Sequence, residues 1–291
     1  MTAMTDDRNA PDRTAPDRTA PDRTAPDRTA PDGSLPDSHR PDPGPAPDPA
    51  ARLDVLTRRL DEACRRAGRE PGSVKLVAVS KYHPRELVAA ALDAGQRDFA
   101  ESRVQEARAK WPPLRARHPD VRLHLVGPLQ TKKAAAAVTG FDVLHSVDRP
   151  RLAAALAAAM ARTGRRPDCF VQVNTADEPH KSGVPLEAAD AFLKECRDVC
   201  GLPVVGLMCL PPYGRDPRPH FRLLRSLAAA HGLTQLSMGM SADFEAAVAE
   251  GATLVRVGRA LFGPRPRRAG PSDARTGGPP DSGTGGPPDT R

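Results

Sequence analysis

Lysine is scarce in this chain, seven residues against 36 arginines, and four of the seven (Lys81, Lys132, Lys133, Lys181) fall in loops that follow apolar runs. Arginine stays protonated, so only a lysine amine can become neutral and attack a carbonyl. Lys81 has the best setting. It ends the run VKLVAVS (74–80), and an amine at the rim of an apolar mouth has its pKa lowered by desolvation. The same residue reads equally as a solvated loop lysine. Two loops far along the chain, Gly239-Met240-Ser241 and Gly258-Arg259-Ala260 through Gly263, have the form of backbone-amide cradles for an anion. Ser241 would cap the next helix and offer a hydroxyl there. The glycines also fit plain turns that need a positive φ.

Arg256 alternates with Leu254, Val255 and Val257, which points its guanidinium inward. It would serve either a ligand ring or a buried ion pair. His124 and His145 lie inside apolar runs without a Ser or Cys partner at interpretable spacing, as hydrogen-bonded core histidines do. Glu101, Arg103, Gln105 and Glu106 form a charged helix start that could also orient Lys81. A carbonyl-seeking amine and a phosphate cradle on one rim together suit pyridoxal 5′-phosphate (PLP), an aldehyde that carries a phosphate.

The elements that must bring these residues together alternate. Apolar runs at 74–80, 97–100, 122–127, 141–146, 168–174, 204–209, 234–238 and 253–257 predict eight strands. An amphipathic helix over about 52–67 precedes them, and helices start near Pro84, Ser102, Leu129, Arg149, Pro185, Asp216 and Ser241. Eight βα units predict an α/β (β/α)8 TIM barrel, with function at the carboxyl ends of the strands and phosphate at the last two loops. A doubly wound open sheet would carry a Gly-rich turn after its first strand. Here that turn is Ser80-Lys81-Tyr82-His83-Pro84.

Residues 10–32 repeat Ala-Pro-Asp-Arg-Thr, and residues 276–291 repeat Thr-Gly-Gly-Pro-Pro-Asp. The composition predicts a disordered Pro-rich tail over 1–50, a folded body over 51–268 and a disordered Gly/Pro tail over 269–291. The tails are net acidic, so the body carries about +12 of a chain total of +7. That charge suits anionic ligands. Ten aromatic residues are too few to favour single-strand nucleic-acid binding. Five cysteines without a paired CxxC spacing indicate neither disulfides nor a zinc site. No run approaches a membrane span and no signal peptide opens the chain, which predicts a soluble, cytoplasmic protein.

The stretches LVAVSKYHP (76–84), FAESRVQE (99–106), LHLVGPLQTKK (123–133), FDVLHSVDRPRLA (141–153), VQVNTADEPHKSG (171–183), GLMCLPP (206–212), LSMGMSADFEAAV (236–248) and VRVGRALFGPR (255–265) resemble, in order, the pyridoxal phosphate homeostasis protein family. The fold of that family is similar to the barrel domain of alanine racemases. The resemblance implies a PLP Schiff base on Lys81 and Arg256 at the pyridine nitrogen. It also implies phosphate contacts from Ser241, Gly258 and Arg259, and further cofactor contacts from Ser102, Ser237 and Met238. It implies a monomeric, non-catalytic carrier in vitamin B6 and amino-acid homeostasis, whose partners would be PLP-dependent apo-enzymes. The alternative is a PLP-dependent racemase-like enzyme, against which stands the lack of a second domain with a catalytic tyrosine. Four positions in three motifs depart from the family pattern: Ala100 and Ser102, in Ala100-Glu101-Ser102-Arg103 for Gly-Glu-Asn-Arg, Lys132, in Lys132-Lys133 for Asn-Lys, and Arg259 for the Thr after Arg-x-Gly.

Overall fold

Each apolar run that the spacing predicts as a strand is one, displaced by at most two residues at either end. The computed structural model describes residues 48–178 and 181–264. The two tails expected at 1–50 and 269–291 lie outside that range, except for residues 48–50. These open the first helix, Pro49–Arg66, which starts three residues before its expected position because Asp48 Oδ1 accepts the Ala50 N–H at 3.0 Å.

Among the described residues there are nine strands: β1 (Lys75–Val79), β2 (Asp98–Glu101), β3 (Arg122–Leu125), β4 (Val143–Val147), β5 (Asp168–Asn174), β6 (Val184–Pro185), β7 (Val204–Met208), β8 (Gln235–Met240) and β9 (Leu254–Val257). All pairings are parallel. β1 pairs with both β2 and β9, and β4 with β5, so eight strands close into a barrel. The two-residue β6 hangs on β5 outside it. This is the predicted TIM barrel. The open-sheet alternative fails because the β4–β5 ladder leaves no free edge.

Strand alternation sorts the side chains into two cores. Val77, Ala100, Val143, Phe170, Met208 and Leu254 fill the barrel, while Val255, Val257, Leu236 and Met238 face the surrounding helices. Leu53, Leu56, Leu60 and Cys64 of the opening helix join the outer core. Among the described residues, no helix is long and apolar enough to cross a membrane.

The β8–β9 ladder contains one irregularity that matters for the site. Ser237 pairs with Leu254 and Met240 with Arg256, so β8 carries one extra residue. Gly239 absorbs it at φ +91°, where a Cβ would come within 2.6 Å of the Ala247 methyl. A bulge of this kind re-aims the strand end that follows it.

Candidate functional site at the carboxyl end of the barrel

A cleft of about 640 Å³ opens over the carboxyl ends of the strands. Its wall takes Val79 and Lys81 from the end of β1, Val126 beyond β3, Leu210 and Tyr213 beyond β7, Met240 and Ser241 at the end of β8, and Arg256, Gly258 and Arg259 from β9 and its loop. Such a volume suits a cofactor-sized ligand. Of the residues expected from the sequence, the fold therefore brings Lys81, Ser241, Arg256, Gly258 and Arg259 to one cavity.

The backbone around Lys81 is clamped by a buried charge cluster. Lys110 Nζ donates to the Ser80 carbonyl at 2.8 Å, to Glu101 Oε1 at 2.9 Å and to Glu106 Oε1 at 3.0 Å. Glu101 Oε1 also accepts the Ser80 hydroxyl at 2.8 Å and the Trp111 indole N–H at 3.1 Å. Glu106 accepts the backbone N–H of Tyr82, a residue held at φ +68°. Both neighbours of Lys81 are thus tied to the helix Val104–Lys110. Burial pushes the Glu101 carboxyl above its ordinary pKa, against the pull of Lys110, and its Oε2 has no hydrogen-bond partner among the described residues. The sequence left Glu101 and Glu106 open between an ordinary charged helix start and a role in orienting Lys81. Lys110 was not legible, because it belongs to a helix, where a lysine normally faces solvent. Its spacing of four from Glu106 was the available signal.

Arg256 is 5 % exposed, and burial pulls its pKa below the ordinary guanidinium value. No ion pair holds it among the described residues. Nη1 donates to Ser237 Oγ at 2.6 Å and Nη2 to the Cys209 carbonyl at 2.9 Å. Ser237 therefore lies behind Arg256 and does not line the cleft. The two core histidines continue inward: His145 Nδ1 is 2.9 Å from Ser237 Oγ, and His145 Nε2 is 2.8 Å from His124 Nδ1.

Burial lowers the pKa of both histidines, and that of His145 falls well below 6.5. The unfolded chain takes up these protons below about pH 6.5 while the folded chain does not, so stability falls as the pH drops through that region. Glu101, with its raised pKa, works in the opposite sense. Urea unfolding at about pH 7.5 and about pH 5.5 should show a loss on the order of 1 kcal/mol per histidine, less the Glu101 gain. The same pH dependence in a variant that lacks both rings, His124→Gln with His145→Gln, would show that the histidines do not cause it.

Several expectations change. Ser241 does not cap the following helix: Asp243 occupies the N-cap position of Phe244–Ala249 and its carboxylate accepts the Met240 N–H at 2.6 Å. Ser241 is left on the cleft wall. Gly239 does need a positive φ, though within the β8 bulge and not in a turn, whereas Gly258 has φ −116°, and its constraint is close approach, with a Cβ 3.1 Å from the Val79 carbonyl oxygen. Met238 is fully buried in the helix-facing core, since alternation turns it away from the axis that Ser237 faces. Ser102 does not line the cleft either. Its backbone packs on Gly127, where a Cβ would meet its carbonyl at 2.2 Å. Tyr82 lies in a left-handed turn beyond β1, so strand alternation does not decide its direction.

The model for the alanine racemase N-terminal domain matches residues 52–266. The chain is 40% identical over 224 residues to the pyridoxal phosphate homeostasis protein of Pseudomonas aeruginosa, covering 74% of this chain and 95% of that one. It is 36% identical over 223 residues to the protein of the same name from Aquifex aeolicus, covering 74% of this chain and 97% of that one. Among solved structures it is similar to PipY of Synechococcus elongatus with PLP bound, at a TM-score of 0.66 and 39% identity, covering 74% of this chain and 100% of that one. With its barrel, its rim lysine and its ordered motifs in place, and with this likeness over nearly the whole of each relative, the chain belongs to the pyridoxal phosphate homeostasis protein family, within the alanine racemase N-terminal domain fold.

Proposed function

We propose that this protein binds PLP as a Schiff base on Lys81 and acts as a monomeric, non-catalytic carrier in cytoplasmic PLP and amino-acid homeostasis, with PLP-dependent apo-enzymes as recipients. The observation that carries this reading is the convergence of Lys81, Arg256, Ser241, Gly258 and Arg259 on one cleft. The donor set fits the cofactor group by group. A primary amine matches its aldehyde, a buried guanidinium with no carboxylate partner among the described residues matches a ring nitrogen, and a hydroxyl with two backbone amides and a guanidinium matches a phosphate. Bound PLP supplies an electrophilic aldehyde conjugated to a pyridine ring.

The residues of this chain then hold rather than transform. Lys110 and the two glutamates fix the backbone on both sides of Lys81. Arg256, protonated on the cleft wall, would leave the nitrogen of a bound pyridine ring unprotonated and so weaken that ring as an electron sink. A racemase-like activity also needs a second proton-transfer group. Neither tyrosine is placed as one, Tyr82 being off the cleft wall and Tyr213 fully exposed at the cleft mouth, which leaves His83 as the proton-transfer side chain on the wall. The test is the absorption spectrum of the purified protein with added PLP between about 300 and 500 nm, before and after borohydride. A band near 420 nm, the region expected of a protonated Schiff base, that borohydride abolishes is the expected result. Its absence at saturating PLP would overturn the assignment.

A further inference from the structure

The core histidines belong to a longer chain of contacts. From Arg256 Nη1 the path runs to Ser237 Oγ (2.6 Å), His145 Nδ1 (2.9 Å), then from His145 Nε2 to His124 Nδ1 (2.8 Å), and from His124 Nε2 to Asp98 Oδ1 (3.0 Å). Asp98 opens β2, so it stands at the amino end of the barrel, opposite the Lys81 rim. There it borders a cavity of about 100 Å³ with Lys75, Arg122 and Asp168, and its side chain keeps 19% exposure.

Donor and acceptor counting gives this chain one direction. An ionised Asp98 only accepts, so His124 carries its proton on Nε2 and its Nδ1 must accept. His145 then carries its proton on Nε2 as well, and its Nδ1 accepts the Ser237 hydroxyl proton. The Ser237 oxygen is thereby left open to the Arg256 N–H. Burial raises the Asp98 pKa, but His124, Lys75 and Arg122 together hold it below the ordinary value, which keeps the terminal acceptor ionised. His124 also feels Arg122 and Asp142, and His145 feels Arg256 and stacks on Phe170 at 4.5 Å between centroids. With the ring of His145 clamped, reversal of the chain requires a change of tautomer, not of rotamer.

We propose that Asp98 is a positioning residue for the cofactor-facing guanidinium. Through His124, His145 and Ser237 it orients the hydrogen-bond chain so that Ser237 accepts from Arg256 alone. In the reversed chain His145 Nδ1–H would donate to the same oxygen, which would then accept from both groups while the Ser237 hydroxyl proton lost its acceptor and turned elsewhere, altering the direction from which the guanidinium is held. The relation to PLP rests on the function proposed above, whereas the direction of the chain does not.

The test uses the full chain labelled with 15N-histidine, with Asp98→Asn beside Asp168→Asn. The neutral amide introduced by Asp98→Asn can offer either its oxygen or its NH2 group to His124, which removes the bias. Asp168 lies at the same mouth, paired with Arg122 at 2.8 Å, but is not in the chain, so its variant controls for local charge. Long-range 1H–15N spectra of the wild type should show both rings neutral with the proton on Nε2. Asp98→Asn should mix the His145 tautomers, shift the PLP absorption maximum and weaken PLP about tenfold. Asp168→Asn should do none of these.

A proton on Nδ1 of either wild-type ring overturns the proposal, as does an Asp98→Asn protein with unchanged tautomers and band, or a matching response from Asp168→Asn. Should Asp98→Asn fail to fold, Ser237→Ala cuts the same chain next to Arg256, and an unmoved band there also overturns it. A wild type that forms no band with PLP rejects the PLP reading, while the tautomer spectra still decide the direction of the chain.

Discussion

Lys81→Ala should abolish the borohydride-sensitive PLP band completely and weaken PLP retention on the order of 100-fold, because the covalent link is lost while the phosphate and ring contacts stay. The cleft keeps Ser241, Gly258, Arg259 and Arg256, so residual reversible binding is expected. Lys81→Arg separates charge from nucleophilicity: it keeps a cation at the rim but has no amine to condense, and it should lack the band as well. Absorption before and after borohydride, followed by peptide mapping of the reduced protein, reads both variants. A reducible band that survives in Lys81→Ala would place the adduct on another amine, with Lys132 and Lys133 in the loop beyond β3 the next to map.

Lys110→Met should be the most damaging single change outside the cleft. The lysine side chain is 8% exposed, and its loss leaves Glu101, fully buried, without its cation and the Ser80 carbonyl with only the longer bond from the His83 N–H at 3.2 Å. Removing one partner of a buried pair costs about 3–5 kcal/mol, since the other charge stays desolvated. Removing both costs less. Lys110→Met combined with Glu101→Leu should recover part of that loss, although the Trp111 N–H then lacks an acceptor and the Ser80 hydroxyl keeps only the longer bond to the Ala100 carbonyl at 3.4 Å. The pH dependence carries its own sign. Without Lys110 the Glu101 pKa rises further, so the folded variant binds a proton that the unfolded chain has already released, and its deficit relative to the wild type shrinks as the pH falls from about 7.5 to about 5.5. Urea titrations at both values measure this. A deficit below about 1 kcal/mol, or one independent of pH, would show that the cluster does not pin the Lys81 loop.

The parts of the site that were legible in the sequence are those that depend on local periodicity. Alternation around Arg256 turned it inward, as the fold has it, and the count of apolar runs predicted the barrel that puts Lys81, Ser241 and Gly258 on one rim. Met238 and Ser102 show the limit. Their positions in matching motifs place their backbones near the site, but whether a side chain enters a cleft depends on which strand face or loop surface it occupies.

Residue order alone thus determined the number of barrel strands, their parallel sense and the rim at which the scarce Lys81 amine stands. Each follows from interactions between residues a few positions apart, which a one-dimensional pattern retains. Only the tertiary structure decided that Lys110 turns inward to hold the Lys81 loop, that β8 bulges at Gly239, and that Asp98, His124, His145, Ser237 and Arg256 form one file through the barrel. Those five residues come from five different strands, β2, β3, β4, β8 and β9, and span 158 positions from Asp98 to Arg256. Hydrogen bonds act over about 3 Å of space and carry no trace of separation along the chain, so closure of the barrel was needed to bring them within reach.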